Sequence, residues 1–94
     1  MYAVVFDIDT NCLQEQYHTP SSNNAYADIR KFMESRGFIW MQGSVYFGNE
    51  TITAVTCVLA VQALAAQYSW FRSCVRDVRM LRIEENNDLK PAIV

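Results

Sequence analysis

Histidine is nearly missing: His18 is the only one in 94 residues. Imidazole is the side chain that titrates near neutrality, so chemistry built on a histidine pair is excluded. His18 itself sits in a polar stretch beside Thr19 and Pro20 and receives no catalytic role. Positive charge is not in excess either, with eight Lys and Arg against ten Asp and Glu and a net charge of −2. A protein that grips nucleic acid over a long footprint is usually basic, so only a local basic patch could do this here. The three cysteines, Cys12, Cys57 and Cys74, are odd in number and widely spaced. That fits neither a disulfide framework nor a zinc site, and the expectation is reduced thiols in a cytosol. The most apolar run, Ala54 to Ala66, is shorter than the roughly 20 residues a bilayer span needs. Asp7 and Asp9 interrupt the first apolar run and no basic segment precedes it, so no signal peptide is expected. No P-loop, GxGxxG, HExxH or CxxC occurs.

What remains is a chain able to build a core, 51% hydrophobic and 13% aromatic. Its length suits one domain, residues 1–94, with an extended tail over 85–94. A core this small is marginal alone, and oligomerisation is a common remedy. Tyr2 to Ile8 reads as a strand, apolar at both parities. Residues 9–22 are polar, with Pro20 and two serines, and read as a long loop. Ser22, Asn23 or Asn24 can cap a helix carrying an apolar stripe of Tyr26, Ile29, Phe32 and Met33. Gly37 suits its end. Phe38–Met41 and Ser44–Phe47 form a hairpin around Gln42-Gly43. Asn49 can cap a second helix from about Thr51 to Gln67, apolar nearly all round, which predicts more than one buried face. Tyr68 to Ser73 is a turn or short helix, and Val75 to Ile83 a last strand.

The order strand, helix, strand, strand, helix, strand predicts an α+β fold. It is the ferredoxin-like βαββαβ plait with a four-stranded antiparallel sheet. One sheet face carries the helices. If Val4 and Phe6 face them, Ala3 and Val5 lie on the other face. An apolar open face marks an interaction surface, so a homodimer is expected.

Asp7 stands near the end of the first strand. A carboxylate there can be tuned by burial for general acid–base work. In a symmetric dimer two copies could approach, or recruit a divalent ion such as Mg²⁺. The alternative is a strand-end aspartate accepting hydrogen bonds from loop amides. Asp9 reads as a solvated loop residue. Ser44 and Tyr46 lie two apart on one strand, so they share a face and could orient a phosphate or a ribose. A core tyrosine with a strand serine is the alternative. The run Arg72 to Arg82 holds four of the eight basic residues. Guanidinium groups suit phosphate, which makes Arg76 and Arg79 candidates for holding phosphate, with Asp77 holding an arginine. Ordinary surface ion pairs are the alternative. Arg76 and Arg82 share a parity with Val78 and Met80, and Asp77 and Arg79 share the other.

Several stretches together resemble the VapD (virulence-associated protein D) family. They are Met1-Tyr2-Ala3-Val4-Val5-Phe6-Asp7, Ala25-Tyr26-Ala27-Asp28-Ile29-Arg30, Gly37-Phe38-Ile39-Trp40 with Gln42-Gly43-Ser44-Val45-Tyr46, and Trp70-Phe71 with Val75-Arg76-Asp77-Val78-Arg79. They run in order up to about Glu85. The resemblance implies a small cytoplasmic ribonuclease, toxin-like and paired with an antitoxin protein. It also implies a homodimer with a plait similar to the CRISPR-associated adaptation nuclease subunit. It places cleavage at Asp7, with Ser44 and Asp77 around the same site and Leu13 in the adjoining loop. Cys12 and the Tyr17 to Asn24 stretch depart from the family pattern. The substrate implied is single-stranded or messenger RNA, with no membrane role. The rival reading is a non-catalytic dimeric module that binds a protein partner, with Asp7 structural.

Overall fold

The computed structural model describes residues 1–18 and 22–93. Strand β1 (Tyr2–Ile8) leads into helix α1 (Thr10–Gln16) and helix α2 (Ser22–Ser35). Strands β2 (Phe38–Gln42) and β3 (Val45–Gly48) follow, then helices α3 (Ala54–Gln67) and α4 (Ser69–Cys74) and strand β4 (Val75–Arg82). A 3-10 turn, Lys90–Ala92, lies in the tail. The sheet order is β2-β3-β1-β4, with each neighbouring pair antiparallel. This is an α+β fold with the connectivity of the split βαβ plait.

Alternation places β1. Val4, Phe6 and Ile8 point into the core with Leu13, Ile29, Met33, Phe38, Leu64 and Phe71. Ala3 and Val5 point to the opposite face, as the apolar pattern at both parities required. Ala3 is only 1% exposed. The tail passes this face: the Ile83 amide donates to the Met1 carbonyl at 2.8 Å. Asn86 to Leu89 then share a cleft with Met41, Val45 and Phe47.

Four expectations need correction. The stretch read as a loop contains α1, because the Asp9 side chain accepts from the Asn11 and Cys12 amides at 3.0 and 3.1 Å and caps the helix. Leu13 is therefore buried inside a helix. Thr19, Pro20 and Ser21 lie outside the described residues. Second, α2 already includes Ser22, so Ser22, Asn23 and Asn24 occupy its first turn and do not precede it. Third, α3 begins at Ala54. Thr53 caps it in a reciprocal box with Thr56, while the Asn49 carboxamide accepts from Thr51. One face of α3 is buried, through Cys57, Ala60 and Leu64, and Val55, Val58 and Leu59 are exposed.

The fourth concerns the thiols. Cys12 and Cys74 are joined as a disulfide, and only Cys57 is free and buried. The cause is α1. Once that helix forms it packs on α4, bringing the two Cα atoms to 5.5 Å, within disulfide range. Gly37 adopts φ 92° at the end of α2, where a Cβ would also meet the Asn49 side chain at 2.9 Å. That explains glycine at this position.

Candidate functional site

The carboxylate of Asp7 is not buried. It sits exposed at the end of β1, so desolvation is not what equips it. Its cross-strand partner in the β1–β4 ladder is Asp77. Residues paired this way project to the same face with Cβ atoms about 4.5–5.5 Å apart. Two acidic groups thus stand side by side on the helix-free face. Arg79 offsets part of this charge: its Nε reaches Asp77 Oδ1 at 3.2 Å and Oδ2 at 3.0 Å. Arg79 is itself paired with Val5, which makes it the diagonal neighbour of Asp7, within reach of a long side chain.

One residue farther on, the ladder slips. Ile8 pairs with Val75, leaving Arg76 as the extra residue of a bulge. A bulge re-aims side chains, so strict alternation does not fix the face of Arg76. Its Nη2 meets Asp9 Oδ2 at 3.2 Å. Asp9 is thus a helix cap and an ion-pair partner, which corrects its reading as a solvated loop residue. The Cys12 amide, then Arg76, holds its carboxyl below the usual value of 3.8.

Ser44 and Tyr46 are brought together, though Ser44 belongs to the hairpin turn before β3. Both line a cleft of about 500 Å³ between α2 and the β2–β3 hairpin, along with Tyr26, Arg30 and Trp40. The Ser44 carbonyl accepts from the Phe6 amide at 3.2 Å, so the cleft adjoins the residue before Asp7. Tyr46 is 3% exposed, stacks on Phe6 and pairs with Trp40 across the hairpin. Burial pushes its hydroxyl up to about 12, keeping it a neutral donor. Burial, then the charge of Asp7, also raises Tyr26.

The sequence reading named Asp7, Asp77, Arg79, Ser44 and Tyr46. The fold gathers the first three on one face and the last two in the adjoining cleft. Arg76 stands apart at the bulge. Tyr26, Arg30 and Trp40 received no role from the sequence. Their signal was present: Asn23, Tyr26, Ala27 and Arg30 follow the three- and four-residue spacing of one helix face, which shares Tyr26 with the apolar stripe of α2. His18 packs on Tyr17 with ring centroids 4.3 Å apart. Among the described residues, no three His, Cys, Asp or Glu side chains form a metal-binding group. Also among them, no helix is long and apolar enough to cross a membrane.

Comparison with known proteins matches this architecture over nearly all of its length. The family model described as CRISPR associated protein Cas2 matches residues 1–90. The chain is 66% identical over 93 residues to "Endoribonuclease VapD homolog" of Helicobacter pylori, covering 99% of this chain and 96% of that protein. It is 59% identical over 93 residues to "Endoribonuclease VapD 2" of Riemerella anatipestifer, covering 99% of both. With "Endoribonuclease VapD" of Dichelobacter nodosus the identity is 40% over 88 residues, covering 94% of this chain and 91% of that one. Identity of this extent, together with the match of the Cas2 family model over residues 1–90, means that the chain belongs to the VapD family.

Proposed function

We propose that this chain is an endoribonuclease that cuts single-stranded RNA, messenger RNA above all, with Asp7 as its catalytic carboxylate. The observation that carries this reading is the exposed pair Asp7 and Asp77 at the end of the β1–β4 ladder, with Arg79 beside it. Relatives matched end to end bear the name endoribonuclease. Asp7 serves as general base, and Arg79, oriented by Asp77, faces the phosphate. Arg76, Ser44 and Tyr46 contact the RNA around it.

Two routes are open to a carboxylate so placed. Proton removal from a 2′-hydroxyl leads to a cyclic phosphate, and proton removal from a water leads to simple ends. An exposed carboxylate fits Mg²⁺ of the kind that keeps its waters and takes substrate phosphate, because such sites use one or two protein carboxylates. Asp7 would hold it, with Asp77 kept on Arg79, and the ion would lower the pKa of a bound water.

The whole chain acts as one domain with residues 85–94 as its tail, and two copies form a homodimer. Exposed Val78, Met80 and Leu81 on the edge strand β4 support this, since an uncovered apolar edge invites pairing. The toxin role, the antitoxin partner and the cytoplasmic setting rest on the resemblance of the sequence motifs to VapD.

The test is purified protein against total RNA, with and without a chelator, beside Asp7→Asn, with product ends analysed and mass read by light scattering. Loss of cleavage in a folded dimeric variant is expected. Full-rate cleavage by Asp7→Asn in a clean preparation would overturn the assignment.

A further inference from the structure

Four of the six arginines of this chain, including all those near the candidate site, add little net charge to an RNA site. Arg30 pairs with Glu34, Arg76 with Asp9, Arg79 with Asp77 and Arg82 with Glu84. The net charge of the whole chain is −2. Phosphate neutralisation, the usual source of RNA affinity, is therefore weak, and affinity has to come from another interaction. Base stacking on aromatic and guanidinium planes is the alternative that needs no net charge.

The cleft between α2 and the β2–β3 hairpin has the parts for it. Its volume of about 500 Å³ suits a ligand of nucleotide size. Trp40 is 40% exposed, and its ring is fixed because Nε1 donates to the Gly43 carbonyl at 2.8 Å. The Arg30 guanidinium lies 4.7 Å from the centre of that ring, and its Nε is tied to Glu34 at 3.1 Å. The terminal nitrogens of Arg30 remain for a base edge or phosphate. Tyr26 supplies a second aromatic ring in the lining. At the floor, Tyr46 is nine-tenths buried, and no hydrogen bond of its hydroxyl is found among the described residues. A buried hydroxyl in a lined cleft without a protein partner is a donor for a ligand.

From this juxtaposition we infer that the cleft of Tyr26, Arg30, Trp40 and Tyr46 is a nucleobase pocket for an RNA nucleotide next to the one cut at Asp7. It rests on the endoribonuclease reading for its substrate. The cleft opens on the helix-bearing face and Asp7 on the other, and they meet at the rim of the sheet: the Ser44 carbonyl is bonded to the amide just before Asp7, and the charge of Asp7 is felt at Tyr26. The base stacks against the indole and guanidinium, and the Tyr46 hydroxyl donates to a ring nitrogen or exocyclic oxygen. Phosphate stays outside, at Arg79. The pocket therefore selects nucleotides by their bases, and RNA binding by this chain has a shallow salt dependence.

The test is a titration of the full-length Asp7→Asn protein with a single-stranded tetraribonucleotide and with its abasic analogue, followed by tryptophan emission. Quenching by the strand with bases, and roughly tenfold or weaker binding of the abasic strand, is expected from the loss of stacking. Ala27→Leu fills the cleft from an exposed helix position and leaves every polar group in place. In the same background it should weaken binding of the tetranucleotide by a similar factor, with unchanged far-ultraviolet dichroism. Arg30→Ala is the second variant should Ala27→Leu misfold, and it should show a severalfold loss. Equal binding of the two strands, or full affinity in the variant that folds, overturns the pocket. Cleavage of the strand by the Asp7→Asn protein at the parent rate would instead refute Asp7, while the comparison of the two strands still decides the pocket.

Discussion

Asp7 and Asp77 oppose one another across β1 and β4, one step before the ladder slips at Arg76. Like charges directly opposite in a sheet are destabilising. A local arrangement that costs stability is expected where a site serves function. Removing the charge at Asp7 should therefore separate activity from stability. Asp7→Asn should lose RNA cleavage by about 100- to 10,000-fold, the range general-base catalysis supplies. Its melting temperature should stay level or rise. Asp77→Asn should retain more activity than Asp7→Asn, because it disturbs Arg79 and leaves Asp7 in place. Cleavage rates and thermal melts on the same preparations check both. A drop in melting temperature as large as the drop in activity would mean Asp7 is structural.

Asp9 makes a different use of its charge. Its carboxylate caps α1 and pairs with Arg76, so its folded-state pKa lies below the ordinary 3.8. A carboxylate with a depressed folded pKa contributes stability above its unfolded pKa and loses it as pH falls through the folded pKa. Asn is as good a cap as Asp but carries no charge. Asp9→Asn should thus melt below the parent at neutral pH, and the difference should begin to shrink below about pH 4 and vanish only once pH falls below the depressed folded-state pKa. Asp9→Ala, which loses the cap as well, should remain less stable at every pH. Melts across the acid range test the sign directly.

Much of this fold could be read from the chain, and the failures have identifiable physical sources. The strands followed from a run apolar at both parities, two short β-prone runs around Gln42-Gly43 and an alternating last run, and their order with the helices implied the plait. Helix α1 was missed because Thr10 to Gln16 carries one buried residue, Leu13. Without an apolar stripe, a seven-residue helix held by a cap reads as polar loop. The disulfide went with it, since its two halves meet only if α1 packs on α4. Arg76 was misread for a related reason: alternation cannot anticipate a bulge. The candidate carboxylate Asp7 was legible as a charge ending an apolar strand. The Trp40 and Arg30 cleft was not, because its walls come from a helix and a hairpin whose approach no local pattern encodes.

The Cys12–Cys74 bond spans 62 residues of sequence. Cross-linking a loop of that length restricts the unfolded chain by about 4 kcal/mol in the entropic account. A domain this small moves its melting temperature by roughly 4–8 °C for each kcal/mol, so the effect should be plain. Adding dithiothreitol should lower the melting temperature of the parent, and Cys12→Ser should start low and ignore the reductant. Thiol counting gives an independent check. Burial pushes the Cys57 thiol up, so native oxidised protein should react slowly and unfolded protein should release a single thiol. Three thiols released on unfolding without reductant would show that the bond is not formed.

Two tyrosines contribute to the alkaline limb of the stability curve. Burial, then the hydrogen bond from its hydroxyl to Asp28 at 2.7 Å, pushes Tyr17 up to about 12. Burial does the same for Tyr46. Both folded-state values lie above the ordinary 10.0. A raised pKa means that the stabilising contribution is complete below pH 10 and drains away as pH rises to about 12, because the unfolded chain releases its protons first. Each tyrosine should steepen the loss by up to about 1.4 kcal/mol per pH unit in that window. Tyr46→Phe is the cleaner probe, since it removes an ionisable hydroxyl with no protein partner among the described residues. It should leave the neutral-pH melting temperature nearly unchanged and flatten the alkaline fall. Tyr17→Phe should flatten it too, but with a lower melting temperature at neutral pH, because Asp28 loses its donor. Thermal melts read against tyrosinate absorbance decide the matter. An alkaline limb unchanged in both variants would mean that neither phenol is shielded from solvent in the folded protein.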